Sequence, residues 1–360
     1  MDSELKARLW LANAKITTNT AYKLFELYGN ASTVFDEFNN IPDTLINDTN
    51  RYLLTESKKN INKNIESLYK NEVSIISSDN SKFPFKLKAM DQPPYVLFFK
   101  GNINILNKNT VAIVGTRRPS NYGIKITREF AKALGENNIC VVSGFAMGID
   151  TQAHQYSYKT SGGTVAVCGC GLAIDYPASN RRLREDIINN NGLMISEYDC
   201  DTEPLNYHFP YRNRIITALS DVVVFVEGKI NSGGMITVRY AYEQNVPVLA
   251  VPGNLDSDLS EGPNSIIAAG EAKCILKVED IFDELSINSS FLNIKSNDFD
   301  MSDNISGLQL EIYKAVKSRP KSFGEIVDDV KTPPDKVQSA IAFLELMGYI
   351  KRSPGNIYEV

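Results

Sequence analysis

Arginines set in glycine-rich turns are the chemistry this 360-residue sequence offers most plainly. Arg117 and Arg118 follow Gly115-Thr116, Arg181 and Arg182 follow Asn180, and Arg212 and Arg214 flank Asn213. A guanidinium can hold a phosphate through two parallel N–H groups. A glycine turn before a helix adds free backbone N–H groups and the positive end of the helix dipole. Gly115-Thr116 and Ser232-Gly233-Gly234 both have that form. Several anion sites along one ridge suit a strand of phosphates better than a mononucleotide. Part of the arginine run has a plainer reading. Arg182 and Arg184 share a predicted helix with Glu185 and Asp186, as a solvated face would.

The turns punctuate residues 110–251, where short apolar runs alternate with helix-length segments. Strands are predicted at 111–114, 140–142, 165–167, 193–195, 222–226 and 248–251. Helices are predicted at 124–135, 148–159, 180–188, 212–219 and 232–244, with an irregular loop from 196 to 210. A last strand at 274–276 and a last helix at 278–285 close the series. This is the α/β pattern of a doubly wound sheet, an extended Rossmann-like parallel core. Ligands of such sheets bind beyond the carboxyl ends of the strands, which is where these turns fall. Segments 73–77 and 95–99 are expected to extend the sheet.

Residues 1–70 read as a helical unit of the SAM or helix-hairpin-helix kind, with a 3.6-residue apolar period through Leu24 and Leu27 and a glycine stop at Gly29. Such a unit holds a nucleic-acid backbone, meets a protein partner, or simply packs. Trp10 is expected in its core. Residues 71–285 carry the sheet. Residues 286–306, rich in Ser, Asn and Asp, read as a linker. Residues 307–360 show three amphipathic helices and two short strands around Pro354-Gly355, the order of a winged helix. Its balanced charge leaves DNA contact and protein contact equally open.

Composition excludes several classes. No apolar run approaches the roughly 20 residues of a membrane span, and the start of the chain has no signal pattern, so a cytoplasmic protein is expected. The five cysteines are odd in number and form no Cys-x-x-Cys, which predicts neither disulfide nor zinc. The two histidines, His154 and His208, lack ligand spacing, and His154 is expected to be a structural group near Asp150. No metal, cofactor or catalytic residue is predicted. The net charge of -5 does not oppose nucleic acid, because the field in the cleft decides.

Dinucleotide binding asks for G-x-G-x-x-G after the first strand, but Gly115 leads into Thr116-Arg117-Arg118-Pro119. Ser232-Gly233-Gly234-Met235-Ile236-Thr237-Val238-Arg239 is similar to the phosphate loop of Lonely-guy-type phosphoribohydrolases. It departs where chemistry matters, with Ser232 for a proline and Arg239 for the family's glutamate. A nucleotide-phosphate enzyme of that kind is the alternative function; an adaptor working through its winged helix is a third.

Seven motifs, in order across about 150 residues, resemble the DprA/Smf family of DNA-processing proteins. They are Ala112-Ile113-Val114-Gly115-Thr116-Arg117 with Tyr122-Gly123; Ser143-Gly144-Phe145-Ala146-Met147-Gly148-Ile149-Asp150 with Ala153-His154; Tyr176-Pro177 with Asn180; Ser196-Glu197; Phe209-Pro210 with Arg212-Asn213-Arg214; Ser232-Gly233-Gly234; and Val251-Pro252-Gly253. Met147, and Gly234-Met235 in place of Ser-Leu, are mild departures. The resemblance implies a non-enzymatic single-stranded-DNA-binding protein of competence, natural transformation and DNA recombination. It would protect incoming strands, form a homodimer through the Rossmann-like core and load RecA recombinase. It implies that Arg117, Arg181, Arg212 and Arg214 contact phosphates, with backbone N–H groups at Gly115 and Gly233-Gly234. Arg118, Ser143, Gly144, Gly171, Asn180, Asn213 and Ser232 complete the DNA-binding set, and Tyr176 or Leu172 borders a base.

Overall fold

The computed structural model describes residues 1–286, 307–346, 349–353 and 357–359. Four helices open the chain: α1 (Ser3–Asn13), α2 (Thr18–Tyr28), α3 (Ala31–Asp36) and α4 (Asp48–Lys70). Each begins at a polar cap. The side chains of Asp2, Thr17, Asn30 and Asn47 accept the first free N–H groups, a role worth about 1 kcal/mol each. Gly29 ends α2 at a φ of 86°.

A nine-stranded sheet follows. Its strands are β1 (Ser74–Ser77), β2 (Val96–Gly101), β3 (Thr110–Val114), β4 (Cys140–Ser143), β5 (Thr164–Cys168), β6 (Leu193–Ser196), β7 (Val222–Phe225), β8 (Val248–Ala250) and β9 (Lys273–Cys274). The spatial order is β1-β2-β6-β5-β4-β3-β7-β8-β9. From β6 to β9 every pairing is parallel. The two upstream strands extend the sheet, as expected, but through antiparallel pairings, β2 against β6 and β1 against β2. The order reverses at β3, whose neighbours are β4 and β7, so the topological switch point lies between β3 and β7.

The connecting helices are α5 (Phe85–Lys88), α6 (Asn121–Glu136), α7 (Ile149–Ser157), α8 (Arg181–Asn189), α9 (His208–Ala218), α10 (Gly233–Glu243), α11 (Glu261–Ala268) and α12 at 279–286. Two calls are corrected here. Helix α9 starts at His208 rather than 212, because Pro210 falls in its first turn, where a missing N–H costs nothing. Helix α11 was not predicted; its Gly262-Pro263 pair reads as a loop in sequence.

Alternation along the strands sorts the core by face. Val142, Val165, Leu193 and Val223 meet one cluster with Ile215, Ile216 and Val238 of α9 and α10. Val111, Ile113 and Val141 meet Phe130, Leu134 and Ile149 of α6 and α7 on the other. That second face continues over Ala166 and Met194, where Trp10, Leu24 and Leu54 of the opening helices cover it together with Ile187 of α8. The described residues 1–286 thus belong to one compact unit. Trp10 is fully buried, its Nε1 donating to the Leu54 carbonyl at 2.8 Å.

The second unit contains α13 (Leu308–Ser318), α14 (Phe323–Val330), α15 (Pro334–Leu346) and strands β10 (Lys321–Ser322), β11 (Lys351–Ser353) and β12 (Ile357–Glu359). The strands pair antiparallel in the order β10-β12-β11 around a core of Ile312, Ile326, Val337 and Leu344. Strand β10 was not expected. All but the first residue of the expected 286–306 linker, and Pro354-Gly355, lie outside the described residues. No described helix is long and apolar enough to cross a membrane.

Candidate nucleic-acid interface

A pocket opens at the carboxyl ends of β4 and β5. One wall is the β4–α7 loop, Gly144 to Met147. The floor is Cys168, Gly169 and Cys170, and the far wall is Tyr176, Pro177 and Phe209. Arg117, from the turn after β3, stands at the mouth. Its guanidinium carbon lies 5.7 Å from the Phe209 ring centroid, and the Tyr176 and Phe209 rings are 5.2 Å apart. Met147 is half exposed. The result is an apolar, aromatic slot with one exposed cation at its rim.

The slot is fixed from behind by polar groups that do not open into it. Asp150 Oδ2 accepts the amides of Gly144 (3.1 Å) and Ala146 (3.3 Å). Arg212 Nη1 donates to the carbonyls of Gly144 (2.6 Å) and Val167. Asn180 Nδ2 donates to the Phe145 carbonyl (3.2 Å) and the Thr151 hydroxyl (2.9 Å). A Cβ on Gly144 would sit 2.6 Å from Asp150 Oδ2 and 2.7 Å from Arg212 Nη2. Burial pushes the Asp150 carboxyl up to about 6 against the opposing charge of Arg212, and burial likewise pulls the Arg212 guanidinium below its usual range. The two ends never close to a direct ion pair; Gly144 lies between them.

These contacts correct the expected roles of Arg212 and Arg214. Both are buried, at 4% and 6% exposure, and turned inward. Arg214 meets both carboxylate oxygens of Glu197 and the Gln92 carbonyl. Neither guanidinium reaches a phosphate in this arrangement. Ser143 is also inward, its Oγ donating to the Ile113 carbonyl at 2.7 Å. Gly171 is buried, and its N–H donates to the Thr202 carbonyl at 2.8 Å. Asn213 ties α9 to α10 through the Gly233 carbonyl at 3.3 Å. Of the expected set, Arg117, Gly144 and Tyr176 line the slot. Arg118 and Arg181 are exposed, the latter facing Asp175 at 3.4 Å. Gly233 is open at the start of α10, while Gly234 packs on Phe225. Reading by charge missed the apolar lining, above all Phe145, Met147, Cys168, Cys170 and Phe209. Their only sequence signal is position, just past the predicted strands or beside the arginines.

The switch-point crevice itself is closed. Glu227, after β7, is 3% exposed. Its carboxylate accepts both the N–H (2.9 Å) and the hydroxyl (2.5 Å) of Ser120, the cap of α6. Its carbonyl accepts from Thr116 N–H at 2.7 Å, and a Cβ on Gly115 would meet that carbonyl at 2.8 Å. An internal acid therefore occupies the helix end that takes a pyrophosphate in dinucleotide-binding sheets. Three acids of these turns, Asp150, Glu197 and Glu227, are tied to partners of the chain itself. His154 is buried and structural, but its Nδ1 faces Thr164 Oγ1 at 2.7 Å rather than Asp150. Burial holds it neutral, down to about 3. Among the described residues no group of three His, Cys, Asp or Glu side chains could hold a metal, and all five cysteines are free.

The family model for DNA recombination-mediator protein A matches residues 74–286. The chain belongs to that family. It is 40% identical to the DNA processing protein DprA of Bacillus subtilis over 214 residues, 59% of this chain and 71% of that protein. It is 32% identical to protein Smf of Escherichia coli over 305 residues, 84% of this chain and 81% of that protein. The X-ray structure of DprA from Streptococcus pneumoniae superimposes with a TM-score of 0.67 at 30% identity, covering 79% of this chain and 98% of that one. DNA processing protein A from Helicobacter pylori, whose structure concerns its single-stranded DNA binding mode, gives a TM-score of 0.54 at 30% identity over 62% and 96% of the two chains. The matched family span includes the whole slot: Arg117, Gly144 to Met147, Cys168 to Cys170, Tyr176 and Phe209.

Proposed function

We propose that this protein binds single-stranded DNA in the slot and acts as a DNA-processing protein without catalysing a reaction. The observation that carries the reading is Arg117 standing over Phe209 at the mouth of an aromatic slot on the carboxyl ends of the parallel strands. An exposed guanidinium takes a phosphate, and ring faces take an unstacked base of any sequence. Duplex DNA keeps its bases stacked and cannot offer them to so narrow a slot. Arg118 and Arg181 supply further exposed cation near it. The likeness to the H. pylori protein supports the same ligand. The phosphoribohydrolase alternative is disfavoured by Arg239, which is exposed and faces Glu243 at 3.8 Å where that chemistry needs a carboxylate.

Protection of strands in natural transformation, loading of RecA recombinase, a homodimer through the sheet-bearing unit, and winged-helix and SAM-like readings of residues 307–360 and 1–70 belong to the same proposal. They rest on family resemblance. The testing experiment is fluorescence anisotropy with labelled oligothymidylate, mixed-sequence single strand and duplex at 50 and 200 mM salt. The expected result is tight binding of both single strands, weak binding of duplex, and a loss of one or more decades between the two salts, as several phosphate contacts require. Preference for duplex, or a flat salt response, would overturn it.

A further inference from the structure

The polar groups in the walls of the slot are engaged by the chain itself. On the β4–α7 wall, Gly144 and Ala146 each have both backbone groups taken. Asp150 Oδ2 accepts their two amides at 3.1 and 3.3 Å. Arg212 Nη1 donates to the Gly144 carbonyl at 2.6 Å, and the Thr151 hydroxyl donates to the Ala146 carbonyl at 2.8 Å. Between them, the Phe145 carbonyl accepts from Asn180 Nδ2 at 3.2 Å. On the floor, Cys168 pairs with Ser196 in the β5–β6 ladder, and the Cys170 carbonyl accepts from Ser196 Oγ at 2.8 Å. On the far wall, the Pro177 carbonyl accepts the Asn180 N–H at 2.9 Å. The side chains add little to these. A thiol is a weak hydrogen-bonding group, and burial keeps both floor thiols uncharged, pushing that of Cys170 up to about 12. The Tyr176 hydroxyl is the one side-chain oxygen among the lining residues.

We propose that the slot recognises the flat ring of a base and is indifferent to its hydrogen-bonding edge, so that it takes strands whose bases are chemically altered at that edge and rejects a position that has lost its base. The inference rests on the single-strand reading of the slot and names the class of strand it accepts. A site that reads an edge keeps polar groups aimed at the ligand, and it rejects an analogue that leaves those groups unpaired. Here Asp150, Thr151, Asn180 and Arg212 consume such groups on the β4–α7 wall. They are positioning residues, setting specificity by what they withhold. What remains for a ligand is apolar and aromatic area, from Phe145, Met147 and Phe209 with the ring of Tyr176. That area rewards any planar ring. A base edge buried against it finds no partner and costs free energy, while an edge left in water costs nothing. Arg117, whose guanidinium stands over Phe209 at the mouth, is assigned to the phosphate.

The test compares three short strands of equal length and charge by anisotropy with the full chain. One carries thymine, one carries difluorotoluene, which has thymine's shape without its hydrogen-bonding edge, and one is abasic throughout. The difluorotoluene strand is expected to bind within about threefold of thymine or more tightly, and the abasic strand to lose about tenfold or more. Phe209→Leu, which removes a ring face and keeps an apolar side chain, should bring all three strands close together. Tyr176→Phe should leave their ranking unchanged. If difluorotoluene loses more than about threefold against thymine while the abasic strand loses more still, the slot stands and the indifference to the edge is wrong. If Tyr176→Phe weakens the thymine strand and spares the difluorotoluene strand, the hydroxyl reads the edge and the proposal is likewise overturned. If the abasic strand binds as well as thymine, no base enters the slot, and the single-strand reading of it fails together with this inference.

Discussion

Arg214→Ala is expected to destabilise the protein by about 3–5 kcal/mol, the usual cost of removing one partner of a buried ion pair. Arg214 and Glu197 side chains are 7% and 12% exposed. Deleting the guanidinium leaves the Glu197 carboxylate buried with only the Thr18 hydroxyl at 3.3 Å, and frees the Gln92 carbonyl. The same change also unlinks α9 from the opening helices, because Thr18 belongs to α2. Denaturant unfolding of the full chain checks the magnitude. Arg214→Met combined with Glu197→Leu should recover most of the loss, since a buried pair is often replaceable by apolar groups of similar volume. A single variant as stable as the wild type would show that Arg214 is not held as described. Were Arg214 a phosphate contact on the surface, the variant would lose affinity and keep its stability.

Gly144→Ala should damage both stability and binding. The added Cβ lands between Asp150 Oδ2 and Arg212 Nη2, at 2.6 and 2.7 Å. Neither neighbour is the end of a mobile chain. Asp150 is fixed by two backbone amides and Arg212 by two carbonyls. Overpacking of this kind costs about 1–3 kcal/mol. The strain is relieved only by shifting the Gly144 to Met147 wall, so single-strand affinity should fall at least tenfold in the folded fraction. Calorimetric unfolding and anisotropy on one preparation separate the two effects. Unchanged affinity would mean that this wall does not touch the ligand.

The sheet was legible because its strands are continuous apolar runs, as strands covered on both faces must be, and because glycine turns mark their ends. Ser74–Ser77 and Val96–Gly101 were seen as strands, but nothing in them told parallel from antiparallel. The start of α9 was hidden by Pro210, which reads as a breaker and sits where a helix tolerates it. Arg117 was picked from its turn as a phosphate contact, and the structure places it among the residues lining the slot. Arg212 and Arg214 came from the same reasoning and were misplaced, since a charge in a glycine-rich sequence looks the same whether it faces water or a buried acid. The groups that hold them, the Gly144 and Val167 carbonyls for Arg212 and Glu197 for Arg214, lie 68, 45 and 17 residues away in sequence. No local pattern pairs them. Phe209 and Met147 were invisible to a search for charge, yet they make the slot apolar and so decide what enters it.

The account's central claim is that the slot behind Arg117 holds single-stranded DNA. The most direct measurement is anisotropy of a labelled oligothymidylate with wild type and Arg117→Ala at equal, low salt. Arg117 is exposed, so its removal is expected to leave the fold intact. The expected result is a loss of at least tenfold, with a salt slope shallower by about 1 and unchanged unfolding behaviour. Equal affinity for the two proteins would place the strand somewhere other than this slot.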